Sequence, residues 1–121
     1  MSTEPIAFSS DYAEARDRFR EAAKAAGGRL EAYPIDAKGP GNSDLAIDVA
    51  LVGGPPDPER VVVVSSGLHG VEGFFGSAIQ LAWLQAGGRS QLPAGLRLVL
   101  VHGANPYGFA WRRRWDDTIS T

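Results

Sequence analysis

The chain has no cysteine among its 121 residues. Disulfide frameworks, thiolate zinc sites, iron–sulfur clusters and cysteine nucleophiles are all excluded by that one absence. A basic excess is also missing. Twelve basic residues face 14 acidic ones, a formal net charge of −2. Nucleic acid and anionic membranes call for the opposite balance, so neither is expected as a partner. Long apolar runs are scarce too. The most apolar stretch, Phe74 to Leu84, falls short of the roughly 20 residues that span a bilayer. The N-terminal stretch MSTEPIAFSSDYAEARDRFR has neither the basic nor the apolar segment of a secretory signal. The expectation is a soluble, cytoplasmic protein.

What is present points to one folded domain. Hydrophobic residues make up 44% of the chain, too many for a disordered one. Fifteen glycines and eight prolines predict many turns. Residues 1–10 read as a leader. Asp11 suits a helix cap, with Glu14 three residues on as in a capping box. Tyr12, Ala15, Phe19, Ala22, Ala23 and Ala26 then follow helical spacing, and Gly27-Gly28 stops the helix.

Strands follow. Leu30 to Asp36 reads as a strand that Pro34 confines to an edge. After the loop AKGPGNSD, Leu45, Ile47, Val49 and Leu51 alternate with Ala46, Asp48 and Ala50, a period-2 strand that pairs with the first as a hairpin. GGPPDPE (53–59) is a loop. The run Val61 to Val64 suits a parallel strand buried on both faces. A largely buried helix is predicted from about 74 to 86, and Leu96 to His102 forms another apolar strand. Strand, helix, strand is a βαβ unit, so the fold class is α/β with a mixed sheet.

Ligands of open α/β sheets bind beyond the carboxyl ends of the strands. Two segments meet there by topology, SSGLHGVEG and HGANPYGFAW. In the first, His69 and Glu72 form an H-x-x-E pair among glycines 67, 70 and 73. An imidazole and a carboxylate so spaced in a tight loop reach one zinc ion, at about 2.0–2.2 Å each. The plainer alternative makes Glu72 a first-turn carboxylate facing a helix dipole and His69 a loop residue. The glycine spacing matches no phosphate loop. A serine hydrolase would use the His-Gly pair in an oxyanion loop, but the chain has no G-x-S-x-G elbow for Ser65, Ser66 or Ser77. In the second segment, Asn105-Pro106-Tyr107-Gly108 signals a turn. Arg112 to Arg114, flanked by Trp111 and Trp115, would bind an anion or form a solvated basic run. His102, ending an apolar strand, reads as a core histidine.

Together SSGLHGVEGFFGSAIQ and VHGANPYGFAWRRR resemble a bacterial family of unknown function related to zinc carboxypeptidases. They also resemble the succinylglutamate desuccinylase and aspartoacylase group. The resemblance covers Tyr12 to Arg114. It implies an incomplete zinc-exopeptidase fold, a three-layer sandwich around a mixed sheet. It implies Zn2+ as cofactor, with His69 and Glu72 as two of three ligands. It places Asn105 of the Asn-Pro-x-Gly turn, Arg113 and Arg114 beside a small-molecule or peptide substrate whose amide bond is cleaved.

The family pattern continues with an Asn-Arg pair, a histidine that is the third zinc ligand and a glutamate base, and none of these is in this chain. Residues 11–121 are therefore expected to be the N-terminal portion of a single zinc-hydrolase-like domain, with little or no activity alone. An open sheet edge is expected to allow self-association. The alternatives are a serine hydrolase fragment and a non-enzymatic interaction module.

Overall fold

The computed structural model describes residues 8–113. Its first helix, α1 (Tyr12–Ala25), starts where the cap chemistry predicts: the Asp11 carboxylate accepts the Glu14 N–H at 2.8 Å. The Glu14 carboxylate reaches back to Ser10, accepting from its N–H and its hydroxyl. At the other end Gly27 takes a φ of +78°, and Gly28 N donates to Ala23 O, closing the last turn. Tyr12, Ala15, Phe19 and Ala23 are buried along one stripe.

Four strands form one sheet in the order β1 (Arg29–Gly39), β2 (Ser43–Val52), β4 (Leu96–His102) and β3 (Arg60–Ser65). The pairs β1–β2 and β2–β4 are antiparallel, and β3–β4 is parallel, so the sheet is mixed. The fold class is α/β, as the sequence pattern predicts. Pro34 lies on the outermost strand, opposite Ala46, where a missing N–H costs least. The predicted loop after Asp36 is shorter than expected. β1 runs on to Gly39, and a single 3-10 turn (Pro40–Asn42) leads into β2.

Helices α1 and α2 (Gly73–Gln85) pack on the same face of the sheet. Phe19 and Ala23 of α1 and Leu84 of α2 meet Ala50, Val52, Leu98 and Leu100 in one core cluster. A second cluster joins Tyr12, Ala15, Leu45 and Phe109, the last from the short helix α3 (Pro106–Ala110). The Tyr12 hydroxyl ties α1 to β2, donating to Ala46 O at 2.6 Å and accepting from Ala46 N at 3.1 Å.

The sandwich has one helical layer among the described residues. On β2 the buried set includes Ala46, Asp48, Ala50 and Val52, while Ile47, Val49 and Leu51 are only half-buried. The larger side chains point to the sheet face away from α1 and α2, with Val99 and Val101 of β4 also half-buried. The valines of β3 differ most from expectation. They pair in parallel as predicted, yet all six residues of the strand are exposed. β3 is an outer strand, so neither its free edge nor its far face is covered by a described residue. On the near face, Val64 borders an open apolar groove of about 310 Å³ with Ile79, Trp83 and Leu92.

α2 also departs from the predicted burial. Phe75 and Ile79 are exposed, while the polar Ser77 and Gln80 face inward. The Gln80 amide donates to Val64 O and Val101 O, bridging neighbouring strands near their ends. Among the described residues no helix is long and apolar enough to cross a membrane.

Candidate functional site

The candidate site lies where β3 and β4 end, as βαβ topology requires. β3 leads into residues 66–72 and then α2, and β4 leads into residues 103–105 and then α3. The two loops are stitched together by backbone hydrogen bonds. Ser66 N donates to Val101 O, Ala104 N to Ser66 O, and Asn105 N to Gly67 O, all within 2.9 Å. The Ser66 hydroxyl accepts from Gly103 N at 3.1 Å.

His69 and Glu72 face each other within this frame. Glu72 Oε2 lies 3.6 Å from His69 Nδ1 and accepts the His69 backbone N–H at 2.7 Å. Their side chains are 66% and 46% exposed, so both donors are open to an incoming ion or substrate. Glu72 is also the N-cap residue of α2, but its side chain makes no capping bond there. Its carboxylate instead holds the loop that carries His69. Glu72 thus stands just before the first turn of α2, with its carboxylate turned to His69 and not to the helix N–H groups.

Gly70 explains how the loop can lie so close to the second segment. Its φ is +140°, and a Cβ there would run into the Arg113 carbonyl and the Gly108 backbone. Val71 N donates to Arg113 O, which brings the residue 113 backbone alongside the His69–Glu72 loop. The Arg113 guanidinium lies over the Tyr107 ring, 5.8 Å from its centroid. Arg112 turns the other way, over Phe74 and onto Ser10 O. Arg114 lies outside the described residues.

Asn105 is the N-cap of α3. Its Oδ1 accepts from Gly108 N at 3.0 Å, and its Nδ2 donates to His69 O at 3.1 Å. His69, Glu72, Asn105 and the Arg113 backbone are thus brought together.

An imidazole and a carboxylate, exposed and facing one another, have the donor chemistry of two zinc ligands. Among the described residues they are not joined by a third: no cluster of three or more His, Cys, Asp or Glu forms.

His102 is a core residue, as its position predicts. It is fully buried, its Nε2 is 2.8 Å from Ser77 Oγ, and its ring stacks on Phe19. Burial lowers its pKa to about 4, and the Arg16 charge adds to that, against the opposing pull of Asp48. Sequence reasoning missed the buried Asp48. Its carboxylate is gripped by Arg16 (2.6 and 3.1 Å) and Arg20 (2.8 Å). The readable signal was a lone charge in an apolar strand, with two arginines one helical turn apart on α1.

Comparison with curated proteins finds no match. Solved structures do match. The chain superposes on a glutaminyl cyclase from Fimbriiglobus ruber with a TM-score of 0.54 at 11% identity, over 74% of this chain and 36% of that one. A cytosol aminopeptidase from Coxiella burnetii gives 0.46 at 15% identity, over 75% and 26%. The chain spans little more than a third of the cyclase it matches, and at this identity the likeness concerns the fold alone. Residues 8–118 match the family model described as "Protein of unknown function (DUF2817)", and the chain belongs to that family.

Proposed function

We propose that this chain carries part of the active site of a zinc-dependent hydrolase that cleaves an amide or peptide bond in the carboxypeptidase manner. The observation that carries the reading is the pair His69 and Glu72: exposed, facing each other, and placed where the two parallel strands end. His69 and Glu72 would hold the metal. A bound zinc supplies a Lewis acid that polarises the amide carbonyl and acidifies water. The third ligand and the general base come from outside the described residues. The residues at hand bind and orient. Glu72 takes its direction from the His69 N–H, and Arg113 and Arg114 offer charge to an anionic substrate group. The proposed setting is the cytoplasm.

The test is metal content after dialysis against zinc-free buffer. Wild type should retain more zinc than His69→Ala or Glu72→Gln. Equal retention in all three removes the metal role from this pair.

A second reading rests on a separate observation, the exposed valines of β3. Such an edge, free of charge and proline between residues 61 and 64, is a template for another strand. Self-association of the chain through β3 would give a dimer by sedimentation that Val63→Lys returns to monomer. A monomeric wild type would rule this reading out.

A further inference from the structure

We propose that Asn105 is a positioning residue: its side-chain amide clamps the His69 carbonyl and so sets where His69 and Glu72 point. The inference rests on the metal reading of that pair and gives Asn105 a role that acts through His69.

The geometry makes His69 a hub. Its carbonyl is held by Asn105 Nδ2 at 3.1 Å, and its N–H holds Glu72 Oε2 at 2.7 Å. One main-chain residue therefore stands between the amide and both candidate ligands. The clamp is itself fixed. Asn105 Oδ1 caps Gly108 N at 3.0 Å, which leaves the Nδ2 end aimed at the first loop. The backbone helps, since Asn105 N donates to Gly67 O and Ala104 N to Ser66 O. Three carbonyls of the first loop, those of Ser66, Gly67 and His69, are held by residues 104 and 105 alone.

Gly108 shows that this approach is built into the turn. A Cβ on Gly108 would sit 2.7 Å from His69 O and 2.9 Å from Asn105 Nδ2, the two atoms of the clamp. The Asn-Pro-x-Gly segment thus supplies an amide at its first position and clearance for that amide at its fourth. Metal-site donors keep a productive direction only when such outer contacts hold them.

Asn105→Ser in the full chain isolates the clamp. Serine caps a helix about as well as asparagine, so the Gly108 contact survives. Its side chain is too short to replace the donor to His69 O. The urea midpoint should fall by no more than the loss of about one hydrogen bond. Exchange of the His69 amide proton, read by NMR without metal, should be roughly tenfold faster, the effect of losing about one hydrogen bond. Zinc affinity, read by chelator competition, should fall by about 10–100-fold, as for other outer contacts. Asn105→Ala, which loses both contacts, should do the same and lower the midpoint further. Unchanged His69 exchange in Asn105→Ser overturns the clamp whatever the zinc result. Zinc retention equal in wild type and His69→Ala overturns the metal reading instead, and the exchange comparison then still decides Asn105.

Discussion

Ser77 Oγ and His102 Nε2 lie 2.8 Å apart, and both side chains are shut away from solvent. The distance is that of a nucleophile and its base. Among the described residues the rest of a triad does not form. His102 Nδ1 has no hydrogen-bond partner among the described residues, and the carboxylate of its cross-strand neighbour Asp48 is taken by two arginines. The pair joins α2 to the end of β4 as an interior polar lock. A fluorophosphonate probe should leave Ser77 unlabelled. Ser77→Ala should lower stability by about 1–3 kcal/mol in urea, because it leaves buried Nε2 unpaired. Labelling of wild type that vanishes in Ser77→Ala would restore the serine hydrolase reading.

His102 also sets a pH dependence. Its pKa in the fold is lowered from 6.5 to about 4, chiefly by burial. A histidine lowered by folding binds its proton more readily in the unfolded chain. Stability is therefore full above about pH 6.5 and falls as the pH drops toward 4. The full loss across that window is about 3 kcal/mol. Urea midpoints at pH 7.0, 6.0 and 5.0 should decline in wild type. In His102→Gln the slope across this window should flatten, and an equal slope in both proteins would show that other groups cause it.

Much of this fold is legible in the residue pattern, and the limits have physical causes. The Asp11 cap and the Pro34 edge are local chemistry, and the structure has both. Burial on two faces is a property of neighbours, and the valines of β3 have too few of them among the described residues. In α2, apolar composition predicts a buried surface. The inward stripe carries Ser77 and Gln80 because ring nitrogen and strand carbonyls there need partners. His69 and Glu72 meet because they lie three positions apart in a tight loop. Asn105 lies 36 residues from His69, and only the parallel pairing of β3 with β4 brings them together. Their closeness follows from topology, whereas the bond between them depends on a rotamer that no spacing reveals.

Asp48 predicts an asymmetry. Its carboxylate is fully buried, while the Arg16 and Arg20 side chains keep 28% and 33% exposure. If the acid is removed, both guanidinium groups can turn toward water. If both arginines are removed, a charge is stranded in the core. Asp48→Asn should cost about 1–3 kcal/mol. Arg16→Met with Arg20→Met should cost more, about 3–5 kcal/mol, as for a buried pair broken to leave its charge behind. Thermal unfolding at pH 7 compares them. The account fails if the asparagine variant is the less stable of the two.

Gly73 and Phe109 should be coupled. A Cβ on Gly73 would lie 2.5–2.9 Å from three atoms of the Phe109 ring. That ring is fully buried and packs edge-on against Tyr12 and Phe74. The start of α2, and with it the Glu72 end of the candidate site, therefore rests on an aromatic surface with no spare room. Gly73→Ala should destabilise by about 1–3 kcal/mol through overpacking. Phe109→Leu alone should cost a similar amount by leaving space. In the double variant the added methyl enters the vacated space, so its loss should be smaller than the sum of the two single losses. A double-mutant cycle in urea reads the difference, and strict additivity would show that the two residues do not share one packing constraint.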